Sequence, residues 1–505
     1  MKKISLPIAA AAMAVLFSIT PAAAGKDNDT LVFATKTDLE NLDAYYNNAR
    51  VGIILARHIW DNLLYRDPED FSYKPALATS YEWIDDLTLE FKLREGVTFH
   101  NGASFSADDV VYTLNFVSSP DSKVVSRRNV DWIKNVEKID DYTVRINLSK
   151  PFPAALDFVA GPLPIYPHAY YAEVGPEGMN RNPVGTGPYK VVAMEQAKSV
   201  KLEKNEDYYK DSPKGQPKIG KLEMRTIPDD NTAVAELMTG GVDWIWRVNA
   251  DQAEMLGQTP NLDVVGGETM RVGFMSMDAA GRSGVKAVQD LKVRQAIAMA
   301  VNRQGIVDNL MPKGGRVIHA ACYPKQFGCT DDVTKYTYDP EKAKALLAEA
   351  GYPDGFEVTI DAYRDRDLAE AIIGDLRAVG IKADLSYNKY SAARDRVRNG
   401  QVTLNFSTWG SYSINDVSAI TSNFFRQGPE DLARDADVAA LLEKGDTSVD
   451  PEKRKAFYAD ALKKISSNAY WLPMFTYSYL YAFNKDLDFQ PSADEIPRFF
   501  MASWK

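Results

Sequence analysis

The run from Phe356 to Phe406, FEVTIDAYRDRDLAEAIIGDLRAVGIKADLSYNKYSAARDRVRNGQVTLNF, changes its hydrophobic period four times. Phe356, Val358 and Ile360 alternate with polar residues, the pattern of a strand with one buried face. From about Asp367, Leu368, Ile372, Leu376 and Val379 recur along one face of a helix that Gly380 stops. Ile381 to Leu385 alternates again, Ser391 to Arg398 is a charged helical stretch, and Val402, Leu404 and Phe406 form a third strand. Strand, helix, strand, helix, strand in one run predicts a mostly parallel sheet covered by helices, because parallel neighbours need a crossover long enough to hold a helix. In such α/β sheets ligands sit beyond the carboxyl ends of the strands. That singles out the segments Asp361 to Arg366 and Ser407 to Asp416.

Just upstream, Asp339 and Pro340 open a helix in which Ala343, Leu346, Leu347 and Ala350 recur before Gly351 ends it. The amino-terminal half has shorter units. Leu31 to Thr35, Thr88 to Leu93 and Thr143 to Leu148 read as strands, Asn101-Gly102 as a turn, and Ser106 to Asp109 as a capping box for a helix carrying Val110, Leu114 and Val117. Trp244-Ile245-Trp246-Arg247 reads as a strand with one tryptophan in the core and the other on the opposite side.

Met1-Lys2-Lys3, an apolar run from Leu6 to Ile19 and Ala22-Ala23-Ala24 form a secretory signal peptide over residues 1–24, cleaved after Ala24. Export places the remainder in the periplasm, with no cysteine after the cleavage site to carry a lipid. No later stretch is long and apolar enough to span a bilayer, so the protein is not expected to be membrane-embedded. Losing Lys2 and Lys3 takes the formal charge from −10 to −12, which disfavours nucleic acid and anionic membranes as partners. Cys322 and Cys329 enclose a short loop in an oxidising compartment, so a disulfide is expected, with two buried thiols as the alternative. His58, His100, His168 and His319 are scattered and match no metal motif, so no metal or other cofactor is expected.

Four ordered segments carry a family resemblance. They are Leu77-Ala78 through Phe91–Val97 to Phe99-His100-Asn101-Gly102 with the helix at Ala107; Asn182-Pro183-Val184-Gly185-Thr186-Gly187-Pro188-Tyr189; Val293-Arg294-Gln295-Ala296 through Asn302-Arg303; and Tyr338-Asp339-Pro340 through Ala350-Gly351-Tyr352. Together they resemble the family 5 extracellular solute-binding proteins, the dipeptide, oligopeptide and nickel receptors of ABC importers. The resemblance implies a type II periplasmic binding protein fold, with two hinged lobes and an extra domain inserted in the first. It places domain I at 25–55, 185–275 and 477–505, domain II at 56–184 and domain III at 276–476. The implied partners are a small-molecule ligand and an inner-membrane ABC permease, for a monomer that catalyses nothing.

The same resemblance selects binding residues. Tyr45, Tyr46, Asn47 and Asn48 follow the first strand where relatives touch ligand, and Trp409, Ser411, Tyr412, Asn415 and Asp416 follow the last strand of the opening run. Relatives that bind dipeptides carry an aspartate for the ligand's amino group where this chain has Tyr412, and an arginine for its carboxylate near Arg364 and Arg366. Trp246 and Arg247 offer a stacking surface and a cation at a strand end. A peptide is the default solute; opines, modified amino acids and oligosaccharides remain open because Tyr412 cannot replace a carboxylate's charge. A secreted hydrolase is the rival class, without a G-x-S-x-G elbow or zinc motif in its favour.

Overall fold

Ten of the strands in the described residues join one central sheet. The computed structural model describes residues 24–47 and 49–505, the side chains of Ser391 and Tyr412 excepted. The export signal expected over residues 1–24 therefore lies, apart from Ala24, outside the described residues. Numbered along the chain, the ten are β1 (Thr30–Thr35), β2 (Tyr189–Glu195), β3 (Ser199–Lys204), β4 (Lys221–Thr226), β5 (Trp244–Trp246), β6 (Leu262–Met277), β7 (Glu357–Ala362), β8 (Lys382–Tyr387), β9 (Leu404–Trp409) and β10 (Trp471–Asn484). Their order is β8-β7-β9-β6-β10-β5-β1-β4-β3-β2.

The opening run forms one end of this sheet as its periodicity requires. β7 pairs in parallel with β8 from Glu357↔Lys382 to Ala362↔Tyr387, and with β9 at Ile360↔Leu404. The helix between β7 and β8 spans Arg366–Ala378, burying Leu368, Ile372 and Leu376. Gly380 follows at φ +96°, and a Cβ on Gly355 would lie 1.9 Å from its carbonyl oxygen, so only glycine lets these two turns pass each other. One boundary differs from expectation: Ser407 to Trp409 belong to β9 and pair with β6, so the loop begins at Gly410.

β6 and β10 are long antiparallel strands that run through both halves of the sheet. Their ladder breaks twice, once between Gly273 and Phe274 and, more widely, between Glu268 and Val272. Glu268 pairs with Ser478 and Val272 with Thr476, leaving Thr269, Met270 and Arg271 opposite Tyr477 alone. Thr269 Oγ1 donates to the Tyr477 carbonyl at 3.0 Å, and the Met270 N–H turns away to the Ala493 carbonyl at 2.7 Å. A bulge of this kind bends the strand and re-aims its side chains, here at the junction of the two halves.

A separate antiparallel sheet holds Ala78–Asp85, Thr88–Leu93, Thr143–Leu148 and Ile133–Asp140 in that order. The helix Ala107–Ser118 packs on it and starts with the expected box: Ser106 Oγ accepts from the Asp108 N–H at 3.3 Å, and Asp109 accepts from the Ser106 N–H at 2.8 Å. On β5, Trp244 and Trp246 share a face with ring centroids 5.9 Å apart, correcting the expectation of opposite sides. The reason is elementary: side chains two apart in a strand point the same way. Trp244 is enclosed by Phe33, Phe489 and Phe499, whereas Trp246 is half-buried and meets Arg247.

Cys322 and Cys329 form the expected disulfide. It borders an apolar core beside the β6–β10 ladder, in which Phe274 stacks on Trp471 at 3.6 Å and meets Phe424 at 5.3 Å. Phe274→Ala removes the middle ring of that stack and should cost about 3–5 kcal/mol of stability. Denaturant unfolding followed by tryptophan fluorescence checks this; a loss below about 1 kcal/mol would show that the core closes over the gap.

Candidate functional site

The loop after β1 is held from beneath by a buried carboxylate. Asp43 accepts from the Tyr45 N–H at 3.0 Å and from the hydroxyls of Tyr166 and Tyr171, each at 2.9 Å. Tyr45 in turn donates its hydroxyl to the Pro164 carbonyl at 2.6 Å. The helix Arg50–Ile59 then begins, bringing Arg50 and Arg57 round to the same side. Its His58 is buried, with Nδ1 on the Ile54 carbonyl at 2.8 Å and Nε2 accepting from the Phe499 N–H at 3.1 Å. Burial pushes the His58 imidazole down to about 3, so at neutral pH it is an uncharged structural bridge.

These elements wall a cavity of about 460 Å³. Its lining includes Tyr45, Asn47, Arg50 and Arg57 from the amino-terminal segment, Ser126, Arg128 and Asn129 from the stretch before the strand Ile133–Asp140, Arg247 and Arg271 from the sheet, Ser413 and Ile414 from the segment after β9, and Ile496. Five of the lining side chains are arginine, and none of the described lining residues is acidic.

Glu495 lies immediately behind this wall, 3% exposed. Its carboxylate is 3.4 Å from Arg50 Nη2, 3.4 Å from Arg247 Nη2 and 3.4 Å from Arg271 Nε. The Arg271 contact is an ion pair without hydrogen-bond geometry, since the same Nε has no hydrogen-bond partner. One negative charge therefore balances three positive ones, leaving two formal charges facing the cavity. Arg247 lies 4.4 Å from the Trp246 ring centroid and 4.5 Å from that of Tyr479, which fixes its planar fork. Both Glu495 and Arg247 sit in the left-handed backbone region, at φ 63° and 58°. Non-glycine residues adopt it at a cost of about 1–2 kcal/mol, offset here by the charge cluster. Arg57 donates to the Gly161 carbonyl at 2.6 Å and to Ala160 at 3.2 Å. Burial, reinforced by Arg498, lowers it to about 10, so it stays charged at neutral pH.

Of the residues selected from sequence, Tyr45, Asn47 and Arg247 come together on this lining. Tyr46 turns aside to the Ser122 carbonyl, and Trp246 backs Arg247 without reaching the cavity. Arg364 pairs with Asp365 at 2.8 Å and lies 5.2 Å from the Tyr477 ring. Trp409 donates to the Ala419 carbonyl at 2.9 Å. Asp416 is buried against Arg454 at 2.7 Å, an ion pair within its own half of the molecule. Ser411 is buried with no hydrogen-bond partner for its hydroxyl, and Asn415 gives its backbone N–H to Asp157 at 2.5 Å. Asn48 and the side chain of Tyr412 lie outside the described residues. The cavity takes Ser413 and Ile414 from the second strand-end segment and nothing from Asp361 to Arg366. Arg50, Arg271 and Glu495 were not selected; none belongs to a recognisable motif, and their meeting depends on the bulge and on the chain's return at Ala493.

Burial raises the Asp43 carboxyl to about 6 against the pull of Tyr45, Tyr171 and Tyr166. The folded state thus binds this proton more tightly than the unfolded chain, and stability from Asp43 is fullest below pH 3.8 and is lost as pH rises through about 6. His58 works the other way, losing stability as pH falls from 6.5 towards 3. Comparing wild type with Asp43→Asn isolates the first effect. From pH 4 to pH 7, the unfolding free energy of wild type relative to the variant should fall by roughly 2 kcal/mol. A difference independent of pH would refute the buried-carboxylate account.

Comparison with known proteins gives this geometry its setting. Residues 72–431 match the model of the bacterial extracellular solute-binding proteins, family 5 middle region. The chain is 28% identical over 507 residues to the glutathione-binding protein GsiB of Salmonella typhimurium, covering 95% of this chain and 94% of that one. It is 29% identical over 440 residues to heme-binding protein A of Haemophilus influenzae, covering 79% and 78%. The structure of HbpA2 from Haemophilus parasuis superposes with a TM-score of 0.83 at 27% identity, over 94% of this chain and all of that one. With its sheet, its inserted antiparallel layer and a family match across most of its length, this chain belongs to the bacterial extracellular solute-binding proteins of family 5.

Proposed function

We propose that this solute-binding component of an ABC importer takes an anionic, peptide-like ligand with at least two carboxylates. The observation that carries the reading is the cavity lined by five arginines, three of them sharing one buried glutamate. A planar guanidinium binds a carboxylate through two parallel hydrogen bonds, and a half-enclosed site strengthens them. A cavity of about 460 Å³ is within the range of small-ligand sites and suits a short peptide. The Salmonella relative is named for glutathione, a tripeptide with two free carboxylates, and the charge here fits that class.

In this reading Arg247 and Arg271 hold one carboxylate, Arg57 and Arg128 receive the other, and Tyr45 and Asn47 bound the ligand's flank. Domains I (25–55, 185–275, 477–505) and III (276–476) are the two lobes, with domain II (56–184) inserted; strand membership supports this, since β7, β8 and β9 fall in one lobe and β1 to β5 in the other. The β6 bulge is the hinge. The receptor works in the periplasm, hands its ligand to an inner-membrane permease and performs no chemistry. Among the described residues no helix is long and apolar enough to cross a membrane.

Arg247→Ala and Arg271→Ala should each weaken binding of S-methylglutathione ten- to a hundredfold, the value of one charge-assisted hydrogen bond at about 1.5–3 kcal/mol. Arg364→Ala, outside the lining, should change it by less than about threefold. Calorimetry decides. The proposal fails if the dimethyl ester of the same peptide, which has no carboxylate, binds as tightly as the diacid.

A further inference from the structure

The rim segment Gly410–Val417 closes one short turn of its own at Ser411–Ser413 and is otherwise held from outside. Ser411 and Ser413 both adopt left-handed backbone angles, at φ 49° and 62°, and the buried Ser411 hydroxyl has no partner. Yet this segment supplies Ser413 and Ile414 to the cavity and makes the contacts across its mouth. Ser413 Oγ donates to the Asp494 carbonyl at 2.9 Å and accepts from Arg50 Nη1 at 3.2 Å; the Asn415 N–H donates to Asp157 at 2.5 Å.

What holds the segment from behind is the ring closed by Cys322 and Cys329. Within the ring, the Tyr323 N–H donates to Gln326 Oε1 at 3.0 Å and the Cys329 N–H to the Gln326 carbonyl at 3.0 Å, which aims the Gln326 amide outward. Gln326 Nε2 then donates to the Ile414 carbonyl at 2.9 Å, the Phe327 N–H to the Asn415 carbonyl at 3.1 Å, and the Val417 N–H to the Phe327 carbonyl at 3.0 Å. Arg454, the partner of Asp416, lies 4.7 Å from the Phe327 ring centroid and clamps the two segments together. Gln326 is buried, so its amide is committed to this one task.

We propose that the Cys322–Cys329 ring is a positioning brace for the ligand cavity: it presents Gln326 and Phe327 to the rim segment and keeps Ser413 and Ile414 in the conformation that retains ligand. A disulfide spanning seven positions closes a small loop and removes less chain entropy than a long-range bridge, so its effect is local. The ligand-retention part rests on the cavity being the solute site; the bracing itself does not.

Hydrogen–deuterium exchange by mass spectrometry on the exported full-length protein separates the two. In Cys322→Ser/Cys329→Ser, peptides covering 413–417 should exchange about tenfold faster than in wild type, while those covering β7, β8 and 107–118 stay unchanged. Binding of S-methylglutathione should weaken about tenfold, through faster dissociation. If the double variant loses its circular-dichroism spectrum, Gln326→Ala, which leaves the disulfide in place, carries the same expectation for 413–417. Unchanged exchange at 413–417 in the folded variant overturns the brace. Failure of wild type to bind the probe, with faster exchange still seen, removes the ligand assignment and leaves the brace standing.

Discussion

A single buried carboxylate, Glu495, sets the geometry of the site. Three guanidiniums reach it from three separate places: the start of the helix Arg50–Ile59, the residue after β5, and the bulge in β6. Each arginine has lesser contacts of its own, Arg50 with Ser413, Arg247 with Trp246 and Tyr479, and Arg271 with Thr408. With Glu495 removed from water behind them, swinging out would leave a buried charge less compensated, and that penalty is far larger than the value of an exposed ion pair. The glutamate is itself held, because the Met270 N–H fixes Ala493 and Asp494 pairs with Arg66 at 3.3 Å and Arg498 at 2.7 Å. Burial alone would raise the Asp494 carboxyl; those two arginines reverse the effect and keep it well below the ordinary range.

The cluster also explains how a chain with net charge −10 can present a basic cavity. Net charge governs solubility and long-range attraction, whereas a concave, half-enclosed surface concentrates the field of the few charges lining it. Two uncompensated cations at one side of the cavity, and Arg57 and Arg128 at another, outweigh acidic residues spread over the outer surface and screened beyond about 10 Å of solution. The sign of the pocket is therefore decided by tertiary placement, not by composition.

That distinction marks what could be read from sequence. The parallel β7–β8–β9 unit was legible because periodicity is local and each strand's buried face repeats every second residue. The capping box at Ser106 and the stop at Gly380 were legible for the same reason. Tyr45, Asn47 and Arg247 were picked out as following strands of the sheet, and they share the cavity lining. Arg50, Arg271 and Glu495 carry no such mark: Arg50 and Glu495 are 445 positions apart. Arg271 owes its direction to three residues opposing one, a register fault that alternation alone does not announce. Trp246 shows the converse error, a wrong parity applied to a strand that was correctly recognised.

The contacts across the cavity mouth are few, and opening them leaves little stranded. Asp157 keeps Arg66 at 2.8 Å when the Asn415 N–H departs, and Ser413 exposes only a hydroxyl that water can satisfy. Few hydrogen bonds therefore separate an open mouth from a closed one. A ligand can shift such an equilibrium only by binding one state better than the other. Under the proposed function, an anion in this cavity would do so through charge: it would meet the surplus of Arg50, Arg247 and Arg271 most strongly when the rim excludes water. The same surplus disfavours closure over an empty cavity, since bringing the rim down desolvates uncompensated cations. In the proposed reading the arginine cluster would act twice, attracting the ligand and opposing the closed state until it arrives.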